Sequence, residues 1–175
     1  RKFEMIKLLN DVGIGTSVHY IPIHMHSYYQ NKYGFSPDDF PNAKQYDQLY
    51  MTGPISVDST CAHHFQPISG KCYIGIFPGK KVIGLSKFNR MVDWVVSRPQ
   101  IQEEMTEQIA DMIEVETEAK GIAVIVKAEH FCMTARGVKE HESEMMTSVV
   151  RGCFRYEPPI KAEFFSLLNN MKGMK

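Results

Sequence analysis

The stretch GIAVIVKAEHF, residues 121–131, opens with a glycine and continues as an unbroken apolar run to Val126. A short apolar run that follows a turn signal is typical of a buried β-strand. We therefore predict a buried strand here, and it ends beside His130 and Cys132.

Two further strands are predicted upstream of this run. ISVDST, residues 55–60, and GKCYIGIF, residues 70–77, alternate apolar and polar side chains, with turn signals on both sides of the second. This pattern indicates an antiparallel pair. Downstream, MMTSVVRGCF, residues 145–154, predicts another strand.

Two apolar series at helical spacing separate these strands. The series are Leu85, Phe88, Val92, Val95 and Val96, and then Ile101, Met105, Ile109, Met112 and Ile113. Pro99 precedes the second series, where the start of a helix tolerates proline. PPIKAEFFSLLNNM, residues 158–171, predicts a closing helix. Strands, two helices, strands and a helix indicate the α+β fold class.

The composition bounds the function. The 175 residues include 20 basic and 20 acidic side chains, so net charge gives no reason to expect nucleic acid or an anionic membrane as a partner. No apolar run approaches membrane-spanning length, and the start RKFEMIKLLN is too charged for a signal peptide. We expect a cytoplasmic protein, whose four cysteines are thiols or metal ligands.

A metal site is indicated by STCAHHFQPISGK, residues 59–71, which places Cys61 three residues before His64. Cys132 is the only other cysteine with a histidine close by, and two thiolates with one imidazole favour Zn²⁺. Three protein ligands leave a fourth tetrahedral position open, as in catalytic sites. The alternative is that both cysteines are ordinary buried apolar residues.

Two more histidines stand beside these candidate ligands. His63 precedes His64, and His130 lies two residues before Cys132. Imidazole transfers protons near neutral pH, so a metal with two such neighbours is typical of a hydrolase. The HxE and PCxxC pattern of zinc deaminases is absent from the sequence.

Four ordered motifs give the chain a family resemblance: CAHHFQPISGK, VIGLSKFNR, RPQIQEEMTEQI and HFCMTARG. Over about residues 55–168 the sequence resembles GTP cyclohydrolase I. The resemblance implies the tunnelling fold, in which antiparallel sheets with helices on one face join around a toroid. It also implies a homo-oligomer, expected to be a decamer, with active sites at subunit interfaces.

The resemblance implies roles for matching residues. Cys61, His64 and Cys132 fall on the zinc ligands, and His63 and His130 on the acid–base histidines. The implied reaction is hydrolysis of GTP to formate and 7,8-dihydroneopterin triphosphate, for folate, another pterin or a deazaguanine base. No redox cofactor is needed. The alternative role for the two histidines is support of the metal ligands.

The remaining matches concern the substrate. Glu103, preceded by Gln102, falls on the guanine anchor, because a carboxylate accepts hydrogen bonds from ring N–H and amine groups. The positions that match ribose and triphosphate contacts are Ser86, Lys87, Arg90 and Arg136. Without the resemblance, these charges would be interpreted as helix-surface residues.

The sequence departs from the family pattern in two places. Ala62, beside the candidate ligands, stands where a glutamate is common, and we do not expect residues 1–50 to form the helical region that usually precedes the core. Residues 3–47 instead resemble the C-terminal part of pyridoxal-phosphate-dependent sugar aminotransferases, without the cofactor domain. We predict an extension over residues 1–50, with a short helix at Phe3–Leu9, a strand TSVHYIPI and a linker at Tyr28–Gly53, before a catalytic core at 51–175.

Other hypotheses remain at this stage. His19, His24 and His26 alternate as on one face of a strand, but are interpreted as packing or surface residues rather than a second metal site. A tunnelling-fold nitrile reductase would need a nucleophilic cysteine and a nicotinamide, and has no use for the three metal ligands. A non-catalytic structural protein with the same fold differs from the enzyme only in turnover.

Overall fold

The computed structural model describes residues 27–34, 48–79, 83–135 and 139–173. Its helices are α1 (Ser27–Tyr33), α2 (Leu85–Val96), α3 (Gln102–Thr117), α4 (Phe131–Thr134), α5 (Cys153–Tyr156) and α6 (Pro158–Gly173). Its strands are β1 (Tyr50–Cys61), β2 (Pro67–Phe77), β3 (Pro99–Gln100), β4 (Gly121–His130) and β5 (Glu144–Gly152). Within these ranges no helix is both long and apolar enough to cross a membrane.

The five strands form one sheet in the order β3-β1-β2-β4-β5. β1 with β2, β2 with β4, and β4 with β5 are antiparallel, whereas β3 runs parallel to the end of β1. β4 therefore has a strand on each side and is covered above and below, which explains its continuous apolar sequence.

Helices α2 and α3 cover one face of the sheet. Alternate residues of a strand share a face, so Ile122, Val124 and Val126 of β4 point toward these helices. The helices contribute fully buried residues at helical spacing, namely Phe88, Val92, Val95, Met105, Ile109 and Ile113. Burying each such side chain stabilises the fold by about 1.5–3 kcal/mol. Both predicted helices are confirmed, but Leu85 of the first series is exposed and Ile101 of the second series precedes α3.

Helix α6 covers the opposite face. Ala123 and Ile125, the alternate residues of β4, pack in a second cluster with Phe154 and Phe164. A Cβ atom at Gly75 would lie 2.4 Å from the Phe164 ring, so the ring rests directly on the backbone of β2. The glycine is therefore required for α6 to approach the sheet.

These observations confirm the α+β class. The expectation of helices on one face holds for α2 and α3, but α6 lies on the other face. The reason is that β4 is apolar on both sides, and each side needs cover to exclude water. All four cysteines lie among the described residues and are free.

The strand predicted over residues 145–154 ends at Gly152, whose positive φ of 59° turns the chain, and Cys153 and Phe154 belong to α5 instead.

Element boundaries differ from the sequence predictions in two further places. Most of helix α1 and the first residues of β1 fall inside the stretch Tyr28–Gly53, which was predicted to be a linker. Pro99 does not start a helix but belongs to β3, where an edge strand tolerates proline, and α3 begins at Gln102. The predicted helix at Phe3–Leu9 and strand at 16–23 lie outside the described residues.

Candidate metal centre and active site

Cys61 and His64 lie on the short turn that joins β1 to β2. The Cys61 amide donates to the Gln66 carbonyl and the Phe65 amide donates to the Cys61 carbonyl, each at 2.8 Å. Phe65 adopts a positive φ of 51°, which lets the chain reverse within this turn. The turn brings the Cys61 Sγ atom within 3.7 Å of the His64 Nδ1 atom.

The register between β2 and β4 places Cys132 beside Cys61 and His64. Ile68, next to the start of β2, pairs with His130 at the end of β4, and α4 begins at the following residue. As a result the ligand atoms of Cys61, His64 and Cys132 all lie within 4.8 Å of one another. The structure thus brings together the three predicted ligands as a candidate metal site.

The burial of this cluster is graded. Cys61 is buried, Cys132 is half-buried and His64 is exposed. A metal ion held by the three groups would thus rest against the sheet on one side and face solvent on the other. This asymmetry suits a site that must admit a substrate.

Strand β3 places the start of α3 beside the candidate ligands. Gln100 pairs with Cys61, and the Ala62 amide donates to the Gln100 carbonyl at 3.0 Å. Helix α3 begins two residues later at Gln102. The two-residue strand β3 therefore holds the predicted guanine anchor next to the turn that carries Cys61 and His64.

His130 contacts Gln102 directly. The His130 Nε2 atom lies 2.7 Å from the Gln102 Oε1 atom. Burial lowers the pKa of His130 below its ordinary value, and the negative charge of Glu103 opposes this shift. Helices α2 and α3 form a helix pair on one face of the sheet. The predicted acid–base residue His130 and the predicted anchor Glu103 therefore lie at the same end of this pair as the candidate metal ligands.

Glu103 and His63 are both exposed at this end. Glu103 occupies the first turn of α3, where the helix dipole favours a negative charge. The His63 ring packs edge-on against His64, with ring centroids 6.1 Å apart. Both side chains therefore remain accessible to a ligand.

Ser86, Lys87 and Arg90 lie elsewhere. They occupy the first turns of α2, whose other end leads through Ser97 into β3. Ser86 is ten residues from Val96, or about 15 Å of helix. Lys87 interacts electrostatically with Glu116, near the end of α3 that is remote from Gln102.

Within one chain, the structure therefore does not bring these three substrate-binding candidates to the metal ligands. Arg136, the fourth predicted phosphate contact, lies outside the described residues. So do His19, His24 and His26, the histidines considered for a second metal site.

Two residues of the site were not predicted from the sequence. Thr147 accepts a hydrogen bond from the Gln102 side chain at 3.1 Å, and its hydroxyl lies 2.7 Å from that of Thr106. The helical spacing of Gln102 and Thr106 was a usable signal, because residues four apart share a face of a helix. Nothing in the sequence around Thr147 indicates its contact with α3.

Comparisons with known proteins identify the family. The sequence model of the GTP cyclohydrolase I family matches residues 21–169. The chain is 42% identical over 127 residues to a GTP cyclohydrolase 1 of Rhodopirellula baltica, covering 73% of this chain and 56% of that protein. It is 44% identical over 122 residues to one of Coxiella burnetii, covering 70% and 66%.

The chain thus spans between 56% and 66% of the length of these two relatives. Among solved structures, it is similar to an archaeosine synthase QueF-Like in the apo form, with a TM-score of 0.49 and 17% identity over 62% of this chain and 97% of that chain. The family match includes the turn that carries Cys61 and His64, the helices α2 and α3, and the end of β4. The chain belongs to the GTP cyclohydrolase I family.

Proposed function

We propose that this chain carries the catalytic core of a zinc-dependent GTP cyclohydrolase, which converts GTP and water to formate and 7,8-dihydroneopterin triphosphate. The observation that carries the proposal is the convergence of Cys61, His64 and Cys132 beside His130. Relatives named GTP cyclohydrolase 1 support the substrate.

The distances within the candidate site support zinc. Tetrahedral Zn²⁺, with bonds of about 2.3 Å to sulfur and about 2.0–2.1 Å to nitrogen, separates these two ligand atoms by about 3.6 Å. The Cys61 Sγ and His64 Nδ1 atoms are 3.7 Å apart. When bound, the ion supplies Lewis acidity and favours deprotonation of water near neutral pH.

The chain's own residues would orient the purine and move protons. The Glu103 carboxylate would accept hydrogen bonds from the guanine N–H and amine, and its exposed place on α3 permits this. His130 and His63 would give and take protons as the imidazole portion of the purine opens and carbon eight leaves as formate. Burial of His130 favours the neutral imidazole, which can accept a proton.

The ribose and triphosphate would be held by Ser86, Lys87, Arg90 and Arg136, because a hydroxyl can donate a hydrogen bond and the three cationic side chains can form charge-assisted bonds with phosphate oxygens. The first three lie at the end of the helix pair remote from the metal ligands. We therefore infer that a second copy of the chain supplies the phosphate contacts at each metal site. A closed ring, expected to be a decamer, provides such repeated interfaces.

Three further parts of the proposal concern the whole protein. The division into an extension at 1–50 and a core at 51–175 remains a prediction, as does the aminotransferase resemblance of residues 3–47. We also expect a cytoplasmic enzyme without nucleic-acid or membrane partners. The product would enter folate, other pterin or deazaguanine synthesis.

The test is to incubate zinc-loaded protein with GTP and follow formate release and pterin absorbance, beside a Cys132→Ala variant. We expect turnover in the unaltered chain and none in the variant, together with loss of bound zinc. A folded, oligomeric, zinc-loaded chain that releases no formate would contradict the proposal and favour a non-catalytic protein.

A further inference from the structure

The Gln102 side chain is enclosed by its own fold. Only 1% of its surface is exposed, although it stands in the first turn of α3 beside the exposed Glu103. Its amide nitrogen lies 3.2 Å from the Val126 carbonyl oxygen, 3.1 Å from the Met145 carbonyl oxygen and 3.1 Å from the Thr147 hydroxyl. These contacts tie α3 to β4 and β5.

These neighbours determine which way the amide points. A backbone carbonyl oxygen only accepts hydrogen bonds, so the atom that faces Val126 and Met145 must be the NH₂ group. The opposite orientation would place the Gln102 carbonyl oxygen against two other carbonyl oxygens in a buried site, which is costly. The Oε1 atom of Gln102 is therefore directed at His130.

This orientation determines the tautomer of His130. Because Oε1 is an acceptor, the His130 Nε2 atom, 2.7 Å away, must carry the proton and donate it. In the neutral ring the lone pair is then on Nδ1. The hydrogen bond made by one imidazole nitrogen in this way decides the role of the other.

Two threonines stabilise the arrangement. The Thr106 hydroxyl donates to the Gln102 backbone carbonyl at 2.7 Å, so the Thr147 hydroxyl donates to Thr106 at 2.7 Å. Thr147 in turn accepts from the Gln102 amide. The hydrogen bonds therefore form a closed ring in which the Gln102 amide donates to Thr147, Thr147 to Thr106, and Thr106 to the Gln102 backbone carbonyl. A flipped amide would break this ring, so only one amide orientation has low energy.

We propose that Gln102 is a positioning residue that holds His130 in the Nε2–H tautomer, rather than a residue that contacts the guanine. The inference about catalysis rests on the proposed function, because His130 is useful as an acid–base group only if a proton is transferred there. An imidazole in the wrong tautomer presents the proton-bearing nitrogen where an acceptor is needed. With only 1% of its surface exposed, the Gln102 side chain has too little free surface to contact a substrate.

The direct test is nitrogen NMR of zinc-loaded protein labelled at histidine, recorded at a pH where imidazole is neutral. The His130 signal is assigned by its loss in His130→Asn. We expect an Nε2–H tautomer in the unaltered chain and a mixture, or the Nδ1–H form, in Gln102→Met. An Nδ1–H tautomer in the unaltered chain overturns the proposal, and this measurement requires neither a variant at Gln102 nor GTP turnover.

The kinetic test separates positioning from substrate contact. We expect Gln102→Met to lower kcat about 10²-fold, the scale of acid–base catalysis, with KM for GTP unchanged. A raised KM with an unchanged His130 tautomer would assign Gln102 to the substrate and overturn the proposal. Gln108→Met is the matched control, because Gln108 lies on the same helix and bonds Glu104 and Arg98 away from His130.

The two arms also separate this inference from the proposed function. If the unaltered chain releases no formate but has the Nε2–H tautomer, which shifts in Gln102→Met, the positioning role stands and the cyclohydrolase proposal fails. If Gln102→Met does not fold, Thr147→Val removes one acceptor of the amide and is expected to give a smaller loss of the Nε2–H form. An unchanged tautomer in a folded Gln102→Met variant overturns the proposal.

Discussion

The two ends of the helix pair α2 and α3 differ in what they bring together. At the end where α3 begins, one chain joins the three candidate metal ligands to His130 and Gln102 through a tight turn, β3 and the register of β2 with β4. At the other end, Lys87 lies near Glu116, about 20 Å of helix away from the start of α3. A single chain therefore brings together the candidate metal ligands, but does not bring the proposed phosphate contacts to them. We call these two ends of the helix pair the metal end and the phosphate end, after the roles proposed for their residues.

The largest expected effect tests the metal end. Cys61→Ala removes one of two thiolates, so bound zinc should be lost and formate release should fall about a thousandfold or more. Zinc content of the purified, folded variant and its GTP turnover are the measurements. Zinc retained at one ion per chain would contradict the assignment of Cys61 as a ligand.

Cys72→Ala is the matched control for this change. Cys72 is fully buried in the same sheet, and burial raises the pKa of its thiol to about 12. A thiol so reluctant to ionise is a poor metal ligand. We therefore expect full zinc content and near-normal turnover in this variant, with only a modest loss of stability.

The second prediction tests whether two chains form one site. Cys132→Ala damages the metal end and Arg90→Ala the phosphate end. At GTP concentrations far below KM, Cys132→Ala alone should be inactive and Arg90→Ala alone should retain about a tenth of normal turnover, because one charge-assisted phosphate contact is lost. Co-expressed with distinguishable tags and purified as mixed oligomers, they should recover about a quarter of normal turnover, because about one interface in four joins two intact halves.

The matched control combines two variants of the metal end, Cys61→Ala and Cys132→Ala. No chain in that mixture carries an intact metal end, so no activity should return. If the mixture of Cys132→Ala with Arg90→Ala shows no gain over the two variants measured separately, in proven mixed oligomers, the metal ligands and phosphate contacts of each site come from one chain. The inference that a second copy supplies the phosphate contacts is then wrong.

The third prediction concerns the phosphate end alone. Lys87→Gln removes one charge-assisted contact, so KM for GTP should rise about tenfold while zinc content and kcat stay nearly constant. The effect should diminish at high ionic strength. Lys161→Gln, on the exposed surface of α6, should leave KM unchanged. A zinc loss in Lys87→Gln would place this residue at the metal end instead.

The sequence predicted much of the metal end because its signals are local. The spacing of Cys61 and His64 fits a tight turn, and His130 and Cys132 follow an apolar strand whose burial was evident. The apolar series of α2 and α3 likewise predicted most of the residues that these helices bury. Such patterns depend only on the periodicity of neighbouring residues.

The rest depends on contacts between distant residues, which periodicity does not report. β3 has only two residues, and its pairing with Cys61 joins positions far apart in the chain. Local sequence does not show this pairing, so Pro99 predicted the start of a helix. Gln102 is grouped with the guanine anchor in the sequence, yet contacts from β4 and β5 enclose its side chain. The distance between Lys87 and the metal ligands also follows only from the packing of α2 against α3.

The smallest expected effect concerns the middle of α3, between the two ends. Burial alone would lower the pKa of Arg151, but hydrogen bonds from its guanidinium to Glu114, Glu107 and Asp111 outweigh this and raise it. The contacts to Asp111 and Glu114 measure 2.6 and 2.7 Å. Arg151 thereby ties β5 to the middle of α3, the helix that carries Glu103.

Arg151→Met should leave three acidic groups of α3 without this cation and lower the free energy of unfolding by about 1 kcal/mol, because the partners are largely solvent-exposed. The urea midpoint of zinc-loaded protein measures this, and the difference from the unaltered chain should shrink at high salt. Arg155→Met, an exposed site on α5, is the control. A loss of zinc or a change in KM in Arg151→Met would mean that the middle of α3 transmits structure to one of its ends.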